Sequence, residues 1–187
     1  MRRVAGLDSL VLTIHLLALA MALAPPVFFG AVVAPAVFSV LPTRDMAGAL
    51  QSPILSRLCA IAEASFVLLF GTSWFLTRDA SRGSRALLTR LPILGFFAAL
   101  VIRQLLIPPI DRIRREAPGL IDNLPVGDPS RVLLARYHRL ATGFFWLEIA
   151  AALLVLAVTA RMLVERRSAP AGPAPAPKPP PKILDLS

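Results

Sequence analysis

Charged residues are scarce in this chain: Asp, Glu, Lys and Arg together make up 17% of its 187 residues. Hydrophobic residues account for 56%, and the mean hydropathy is +0.70. A soluble domain usually carries about 25% charged residues. The shortage of charge therefore excludes an ordinary soluble protein, and the chain is predicted to lie in a membrane.

Cysteine and the motifs of soluble enzymes are also missing or nearly so. The single cysteine, Cys59, excludes an intramolecular disulfide and a zinc site built from paired cysteines. The sequence contains no Gly-rich phosphate loop, no HExxH pair and no Ser-His-Asp order. Conventional catalysis has no support here, so an enzyme is not the favoured class of protein.

The formal net charge of +9 comes from arginines that gather beside hydrophobic segments without interleaved aromatic residues. Nucleic-acid binding is therefore not expected. The better partners for such arginines are the headgroups of anionic lipids. We expect this contact at the loop that contains Arg78, Arg82, Arg85 and Arg90.

Four stretches are long and apolar enough to cross the hydrocarbon layer, which takes about 20 residues of helix. They cover residues 10–41, 55–76, 88–107 and 140–163. The sequence therefore predicts an all-α, integral membrane four-helix bundle over residues 1–167. Pro25, Pro26 and Pro35 predict a kink in its first helix, because proline removes backbone hydrogen bonds.

Two segments outside these spans are rich in residues that break helices. The loop of residues 108–136 contains several prolines and glycines and is predicted to be irregular. Residues 168–187 are dominated by proline and alanine, a composition typical of an extended, disordered tail. The membrane domain is thus predicted to end at about residue 167.

The arginines near the ends of the spans bear on orientation. With the N-terminus in the cytoplasm, nine such arginines lie inside and eight outside. The difference is small, but the basic start of the chain and the loop with four arginines favour a cytoplasmic position for both termini.

Two glutamates and one arginine interrupt the hydrophobic runs: Glu63, Glu148 and Arg103. With a rise of 1.5 Å per residue, each lies roughly 6–13 Å below the same end of its span. An ionisable group at such depth faces a partner, water or a substrate path. We expect the three to form a cluster, which would act either as a static lock between helices or as a site for a proton, a cation or a small solute.

The remaining polar candidates are weaker. His15 and His138 lie at different depths, which argues against a haem held by both, and His15 is expected to bond a neighbouring helix or relay protons. Cys59 lies one turn before Glu63, so a metal site of Cys59, Glu63 and His138 is conceivable. Gln104 is a further relay or ligand candidate. We predict no cofactor, with haem or copper as the less favoured alternative.

Phenylalanine, proline and small residues recur in a distinctive pattern: His15-Leu-Leu-Ala-Leu-Ala, Phe28-Phe29-Gly30-Ala-Val-Val-Ala34-Pro35-Ala-Val-Phe38, Leu41-Pro42 and Ala47-Gly48, then Gln104, Pro108-Pro109 and Tyr137-His138-Arg139. The pattern resembles the four-span membrane family related to animal transmembrane protein 205, which is catalogued in bacteria as domain of unknown function 4149. The resemblance covers roughly residues 8–163.

The resemblance implies an integral membrane domain of unassigned role in a bacterial plasma membrane, with an animal relative linked to metal-drug resistance. It also implies a distant likeness to copper-resistance D-type and membrane protoporphyrinogen-oxidase-type bundles, in which His15 would be the corresponding histidine. Three functions stay open: binding or passage of a proton, cation or solute, haem- or copper-linked redox chemistry, and a scaffold without ligand. A homo-oligomer is a further expectation.

Overall fold

Four long apolar helices dominate the part of the chain that the computed structural model describes, residues 2–78 and 80–168. Each is long and apolar enough to cross a membrane, and they cover Leu7–Val40, Arg44–Leu76, Arg82–Glu116 and Pro129–Glu165. No strand occurs within the described ranges. The prediction of an all-α, four-span membrane bundle is confirmed.

The described part of the chain contains six α-helices and three short segments. Their bounds are α1 (Arg2–Phe28), a first π segment (Phe29–Val33), α2 (Ala34–Val40), α3 (Arg44–Leu76), α4 (Arg82–Leu100), a second π segment (Val101–Leu106), α5 (Ile107–Glu116), a 3-10 turn (Ile121–Asn123) and α6 (Pro129–Ser168). The first and third spans each contain a π segment between two α-helices.

The two π segments lie where prolines would otherwise break a helix. The backbone N–H that follows each segment bonds the carbonyl five residues earlier. In a regular α-helix, the ring of Pro35 would collide with the carbonyl of Ala31, and Pro108 with that of Gln104. The wider π turn shifts those carbonyls and lets the helix continue. The irregularity expected of the first span is therefore a π segment within a continuous helix.

The loop predicted over residues 108–136 is mostly helical, contrary to the sequence analysis. Pro108 and Pro109 stand at the start of α5, where proline loses no hydrogen bond, so the third span continues to Glu116. α6 begins at Pro129 because the Asp128 carboxylate accepts a hydrogen bond from Ser130 N at 2.8 Å. Only the short stretch between α5 and α6 is irregular, apart from its 3-10 turn.

The second span also begins earlier than its apolar stretch, at Arg44 instead of Leu55. Thr43 accepts a hydrogen bond from Met46 N at 3.2 Å and so caps the helix. Hydropathy does not detect these helical extensions, because their polar residues lie outside the apolar stretches. Together they build a folded layer at one end of the bundle.

The bundle has two distinct ends. α1 begins and α6 ends at the same end, together with the connection between α3 and α4, and we name it the terminal end. The opposite end holds residues 41–43 and 117–128 and is named the loop end. The tail predicted from residue 168 begins at the last residue of α6, and the rest of it, residues 169–187, lies outside the described residues.

The core lies where α1, α3, α4 and α6 pack against one another. Phe66, Leu69, Ile102 and Val155 are fully buried there. The ring of Phe66 lies directly over Gly95, where a side chain would collide with it. This close contact holds α3 against α4 and fixes the relative rotation of the helices that carry Glu63 and Arg103.

Candidate functional site

Glu63 of α3 and Arg103 of the second π segment form a bidentate ion pair. Arg103 donates from Nε to Glu63 Oε1 at 2.8 Å and from Nη2 to Glu63 Oε2 at 2.7 Å. The Glu63 carboxylate is nearly buried, whereas about a third of the Arg103 side chain is exposed. Parallel charge-assisted bonds of this kind are among the strongest in proteins. Both oxygens of Glu63 are therefore satisfied.

Glu148 of α6 lies close enough to Glu63 for an electrostatic interaction, yet it has no share in this ion pair. Its side chain is buried, with 2% of the residue exposed. The Oε2 atom is buried and finds no hydrogen-bond partner among the described residues. The cluster therefore holds two carboxyl groups for one guanidinium group, and the second carboxyl group is left without a cation.

Cys59 completes this level of the bundle. It is a free, buried thiol one turn before Glu63, within electrostatic range of Glu63, Arg103 and Glu148. The three charged residues singled out from the sequence thus gather around one point between α3, α6 and the second π segment. We name Glu63, Arg103 and Glu148 the middle layer.

Two other candidates from the sequence lie elsewhere. Gln104 is exposed and makes no hydrogen bond among the described residues, although it follows Arg103 directly. His138 lines cavities at the loop end and is not near Cys59 and Glu63. No group of three or more His, Cys, Asp or Glu residues in the described ranges could hold a metal ion. The metal site conceived from Cys59, Glu63 and His138 is not assembled.

His15 of α1 joins three helices in a second polar layer. Its Nδ1 lies 2.8 Å from Thr72 Oγ1 of α3, and its Nε2 lies 3.1 Å from Thr159 Oγ1 of α6. The Thr72 hydroxyl donates its proton to Leu68 O at 2.7 Å, so it accepts from the imidazole. In a neutral imidazole, Nδ1 then carries the proton, and Nε2 accepts from Thr159. We name His15, Thr72 and Thr159 the histidine layer.

The geometry separates the two histidines widely. His15 contacts Thr159, and His138 lies 21 residues earlier on the same helix, α6. At 1.5 Å per residue this is about 30 Å along the helix axis. Both ring nitrogens of His15 are also engaged by hydroxyl groups. A haem held by both histidines is incompatible with this arrangement.

A third polar group at the loop end was not foreseen from the sequence. Arg114 of α5 lies between Asp45 and Asp111, with N···O distances of 4.0 and 3.9 Å, and Ser52 donates to Asp111 Oδ1 at 2.6 Å. The guanidinium group occupies the space over Gly48, where any side chain would collide with it. We name Arg114, Asp45, Asp111 and Ser52 the loop-end cluster.

One feature of the sequence points to this cluster, although the sequence alone does not reveal its role. Ala47-Gly48 belongs to the small-residue pattern quoted above, and both residues are buried. Nothing in the sequence distinguishes Arg114 from its neighbours Arg112 and Arg115. Arg114 turns inward because α5 continues the third span as a helix, which places one arginine of the three toward α3.

The polar groups lie far apart along the bundle. On α3, Ser52, Glu63 and Thr72 mark the loop-end cluster, the middle layer and the histidine layer. Their sequence separations correspond to steps of about 13–16 Å along the helix. Apolar side chains such as Leu55, Phe66 and Leu69 fill the space between them. Within the described residues, no continuous chain of hydrogen bonds runs through the bundle.

Comparison with known proteins gives one match. A family model described as a domain of unknown function, DUF4149, matches residues 13–119, which is more than half of the chain. The matched region contains His15, Gly48, Glu63, Arg103 and Arg114, and it ends before the fourth span. No curated protein and no solved structure matches the chain.

Proposed function

The chain belongs to the DUF4149 family, and we propose that it is a multi-pass membrane protein that binds and releases a proton at Glu148, inside the bilayer. Its four apolar helices support the membrane position. The chemistry rests on a single observation, the buried Oε2 atom of Glu148, which has no hydrogen-bond partner among the residues that the structure describes.

The cost of that group is the reason for the proposal. A charged side chain at bilayer depth costs at least about 2.5–3.5 kcal/mol unless it is paired or hydrated. Three buried side-chain atoms lack partners among the described residues: Ser73 Oγ, Arg114 Nε and Glu148 Oε2. Glu148 is the acidic one, and protonation would remove its charge without a rearrangement of the helices. A glutamate with only a packing role would not need to be ionisable.

A proton suits this position better than a metal ion or a larger solute. Hard cations such as Ca²⁺ take six to eight oxygen ligands. Near Glu148, the two oxygens of Glu63 are already engaged by Arg103. A single free carboxyl group beside the buried thiol of Cys59 provides too few oxygen ligands for a dehydrated hard cation. A proton needs only one of its oxygens.

The Glu63–Arg103 pair has a different role in this proposal, which is to hold the site in place. The pair connects α3 to the second π segment and engages both oxygens of Glu63. Glu148 is then the carboxyl group of the middle layer that is open to a proton. In this proposal, Glu63 and Arg103 keep their positions while Glu148 gains or loses its proton.

Binding is supported better than free conduction. The middle layer is separated from the histidine layer and the loop-end cluster by apolar steps of about 13–16 Å. A proton that reaches Glu148 therefore needs a movement of the helices to leave toward the other side. The π segments are natural places for such movement, because π turns are often found at functional positions in helices. A proton-coupled binding or transport module fits these features.

The redox alternative has less support. His15 would have to release both hydroxyl groups that it contacts before it could bind a haem iron or copper. His138 lies about 30 Å away along the bundle by helical rise. The relation to transmembrane protein 205 and the formation of a homo-oligomer remain predictions, since none of the contacts described here bears on them. A ligand-free scaffold is the outcome that the carbodiimide experiment below would reveal.

We also propose that the terminal end faces the cytoplasm of a bacterial cell. At this end Arg78 lies 4.4 Å from the ring centre of Phe75, and Arg85 lies 5.0 Å from that of Trp74. Arginines stacked on rings at the end of a span suit the depth of anionic headgroups. Cysteines introduced at Ser81 and at Ser130 in a Cys59→Ala chain should react with an impermeant reagent from opposite faces. Labelling of Ser81→Cys from outside intact cells would contradict this orientation.

A hydrophobic carbodiimide tests the proposed function directly, because it reacts with protonated carboxyl groups inside membranes. Dicyclohexylcarbodiimide should modify Glu148 and spare Glu63, whose carboxylate is held by Arg103. Peptide mapping by mass spectrometry identifies the modified residue, and Glu148→Gln should lose the modification. If Glu148 stays unmodified while Glu63 reacts, the roles of the two carboxyl groups are wrong. If neither reacts, the middle layer is a structural lock.

A further inference from the structure

Two cavities meet at the loop end. The first has a volume of about 580 Å³ and contains most of the charged groups, and the second has a volume of about 310 Å³ and is mainly apolar. Both are lined by Phe38, Ile110, Arg114 and His138. They are therefore two adjacent chambers, with Arg114 at the junction of their linings. We name the one with most of the charged groups the polar chamber and the other the apolar chamber.

The polar chamber offers unused hydrogen-bond donors. Its two carboxylates are engaged by the backbone: Asp45 accepts from Ile121 N, and Asp122 accepts from Arg44 N at 2.8 Å. Arg114 contacts acidic groups only at 3.9–4.0 Å, beyond hydrogen-bond distance, and its buried Nε has no partner among the described residues. An anion at this point would supply the acceptors that Arg114 lacks.

The apolar chamber has the opposite character. Phe29 of α1's adjoining π segment and Phe145 of α6 pack edge to face, with ring centres 6.2 Å apart. Together with Trp146, Leu55 and Ile107 they form its walls. Three polar side chains of this chamber already donate within the protein: Gln51 to Ala34 O, Ser52 to Asp111 Oδ1 and Thr142 to His138 O. Such a space suits a hydrocarbon group and excludes a second charge.

Two walls of the apolar chamber reach the surface of the bundle. Phe38 of α2 and Trp146 of α6 line the chamber and are also exposed, by 45% and 64%. α2 packs against α3 and has at most a slight contact with α6. We expect a ligand to enter from the bilayer past these two exposed aromatic side chains.

From this geometry we infer that the two chambers bind a single-chain amphiphile with an anionic head group, either a carboxylate or a phosphate. The head group bonds Arg114 in the polar chamber, and the hydrocarbon chain lies along Phe145 and Trp146 in the apolar chamber. Both volumes fall within the range of roughly 300–1,000 Å³ that is typical of small-molecule sites. The smaller chamber is at the low end of that range, which favours one chain over the two of a phospholipid.

Gly48 is part of this site although it bonds nothing. The Arg114 guanidinium group lies where a Cβ atom of residue 48 would be, so only glycine permits its position at the junction. The loop-end cluster lies about 16 Å from the middle layer along α3. The apolar chamber extends toward that layer, because Phe145 in its wall lies about one helical turn from Glu148. The inference concerns a different ligand from the proton proposed at Glu148, and either can fail without the other.

The position of the two tryptophans allows a direct binding measurement. Trp146 lines the apolar chamber, whereas Trp74 lies at the terminal end of α3. In a Trp74→Phe chain in detergent, a fatty acid brominated on its chain should quench the fluorescence of Trp146 with saturation. In a Trp146→Phe chain, the same fatty acid should give only weak, non-saturating quenching. Equal behaviour of the two tryptophans would overturn the inference.

The head group is tested with matched ligands on the Trp74→Phe chain. A brominated monoacylglycerol has the same chain without the charge and should bind at least about tenfold more weakly, since a charged hydrogen bond contributes roughly that factor. A single-chain phosphatidic acid should displace the fatty acid, because it offers the same anionic acceptors. Equal binding of the neutral ligand, or tighter binding of brominated two-chain phosphatidylglycerol, contradicts the inference.

The role of Arg114 has a matched control on the same helix. Arg114→Gln should weaken binding of the brominated fatty acid about tenfold or more. Arg112→Gln should leave it unchanged, because Arg112 is exposed and paired with Glu116 at 2.8 Å. An equal effect of both changes would mean that the anion is held by general positive charge. If Arg114→Gln fails to fold, the comparison of charged and neutral ligands on the intact site still decides the question.

Discussion

The histidine layer and the middle layer are two polar interruptions of the same apolar bundle, and their bonding is complete to different degrees. In the histidine layer, both ring nitrogens of His15 contact threonine hydroxyl groups. In the middle layer, Arg103 satisfies Glu63, and Oε2 of Glu148 has no hydrogen-bond partner in the described part of the chain. The histidine layer is a completed network, and a role in packing is enough to account for it. The carboxyl group of Glu148 is ionisable and is not paired with Arg103, and a proton is the smallest ligand that fits it.

The largest effect should come from the removal of Arg103. Breaking a buried pair by loss of one partner typically costs roughly 3–5 kcal/mol, because the other charge is left uncompensated. Arg103→Ala should lower the free energy of unfolding by an amount of this order, measured by denaturant titration in detergent micelles. In the Arg103→Ala background, Glu63→Gln should restore part of the loss, since a neutral amide no longer needs the guanidinium group.

Arg90→Ala, at the start of the same span, is the control for loss of an arginine outside the middle layer. It should change the free energy of unfolding by much less than Arg103→Ala. If both arginine changes cost the same, or if Glu63→Gln fails to improve the Arg103→Ala protein, the ion pair does not contribute as described. The contrast between the two layers would then lose its energetic basis.

A smaller effect is expected at the histidine layer. His15→Leu removes two hydrogen bonds between neutral groups, each with a net contribution of about 0.5–1.5 kcal/mol. Thr72 keeps its bond to Leu68 O, and Thr159 is free to turn its hydroxyl to its own helix backbone. The loss in the same titration should therefore be about 1–3 kcal/mol, below that of Arg103→Ala. Thr159→Val, which removes one of the two hydroxyl partners of His15, is the companion variant. If His15→Leu lowers the free energy of unfolding by more than Arg103→Ala does, the comparison of the two layers is reversed.

The contrast also marks what can be predicted from the sequence. Depth along a helix follows from residue number, and it placed Glu63, Arg103 and Glu148 at a shared level. The direction in which each side chain points depends on helix rotation, which is set by contacts such as that of Phe66 over Gly95. The sequence therefore could not tell which glutamate Arg103 would bond. The guanidinium group of Arg103 forms a bidentate pair with one carboxylate, so the second glutamate stays outside the ion pair once the first has formed it.

The loop end was harder to predict for a related reason. Pro108 and Pro109 indicate the end of a helix in sequence, yet the second π segment removes their conflict with the preceding turn and the third span continues. That continuation turns Arg114 into the space over Gly48. Hydropathy reports which segments are apolar, and the four spans followed from it. It does not report π turns, and so it gave no indication of the two chambers.

The most direct test of the central claim is the infrared absorption of protonated carboxyl groups in the purified protein at neutral pH. The account predicts a carboxylic-acid C=O band that shifts on exchange into deuterated water, persists in Glu63→Gln and disappears in Glu148→Gln. Circular dichroism of the two variants should match that of the unmodified protein, so that the loss of the band reports the side chain and not the fold. An absent band in the unmodified protein, or a band that persists in Glu148→Gln, would contradict a proton held at Glu148.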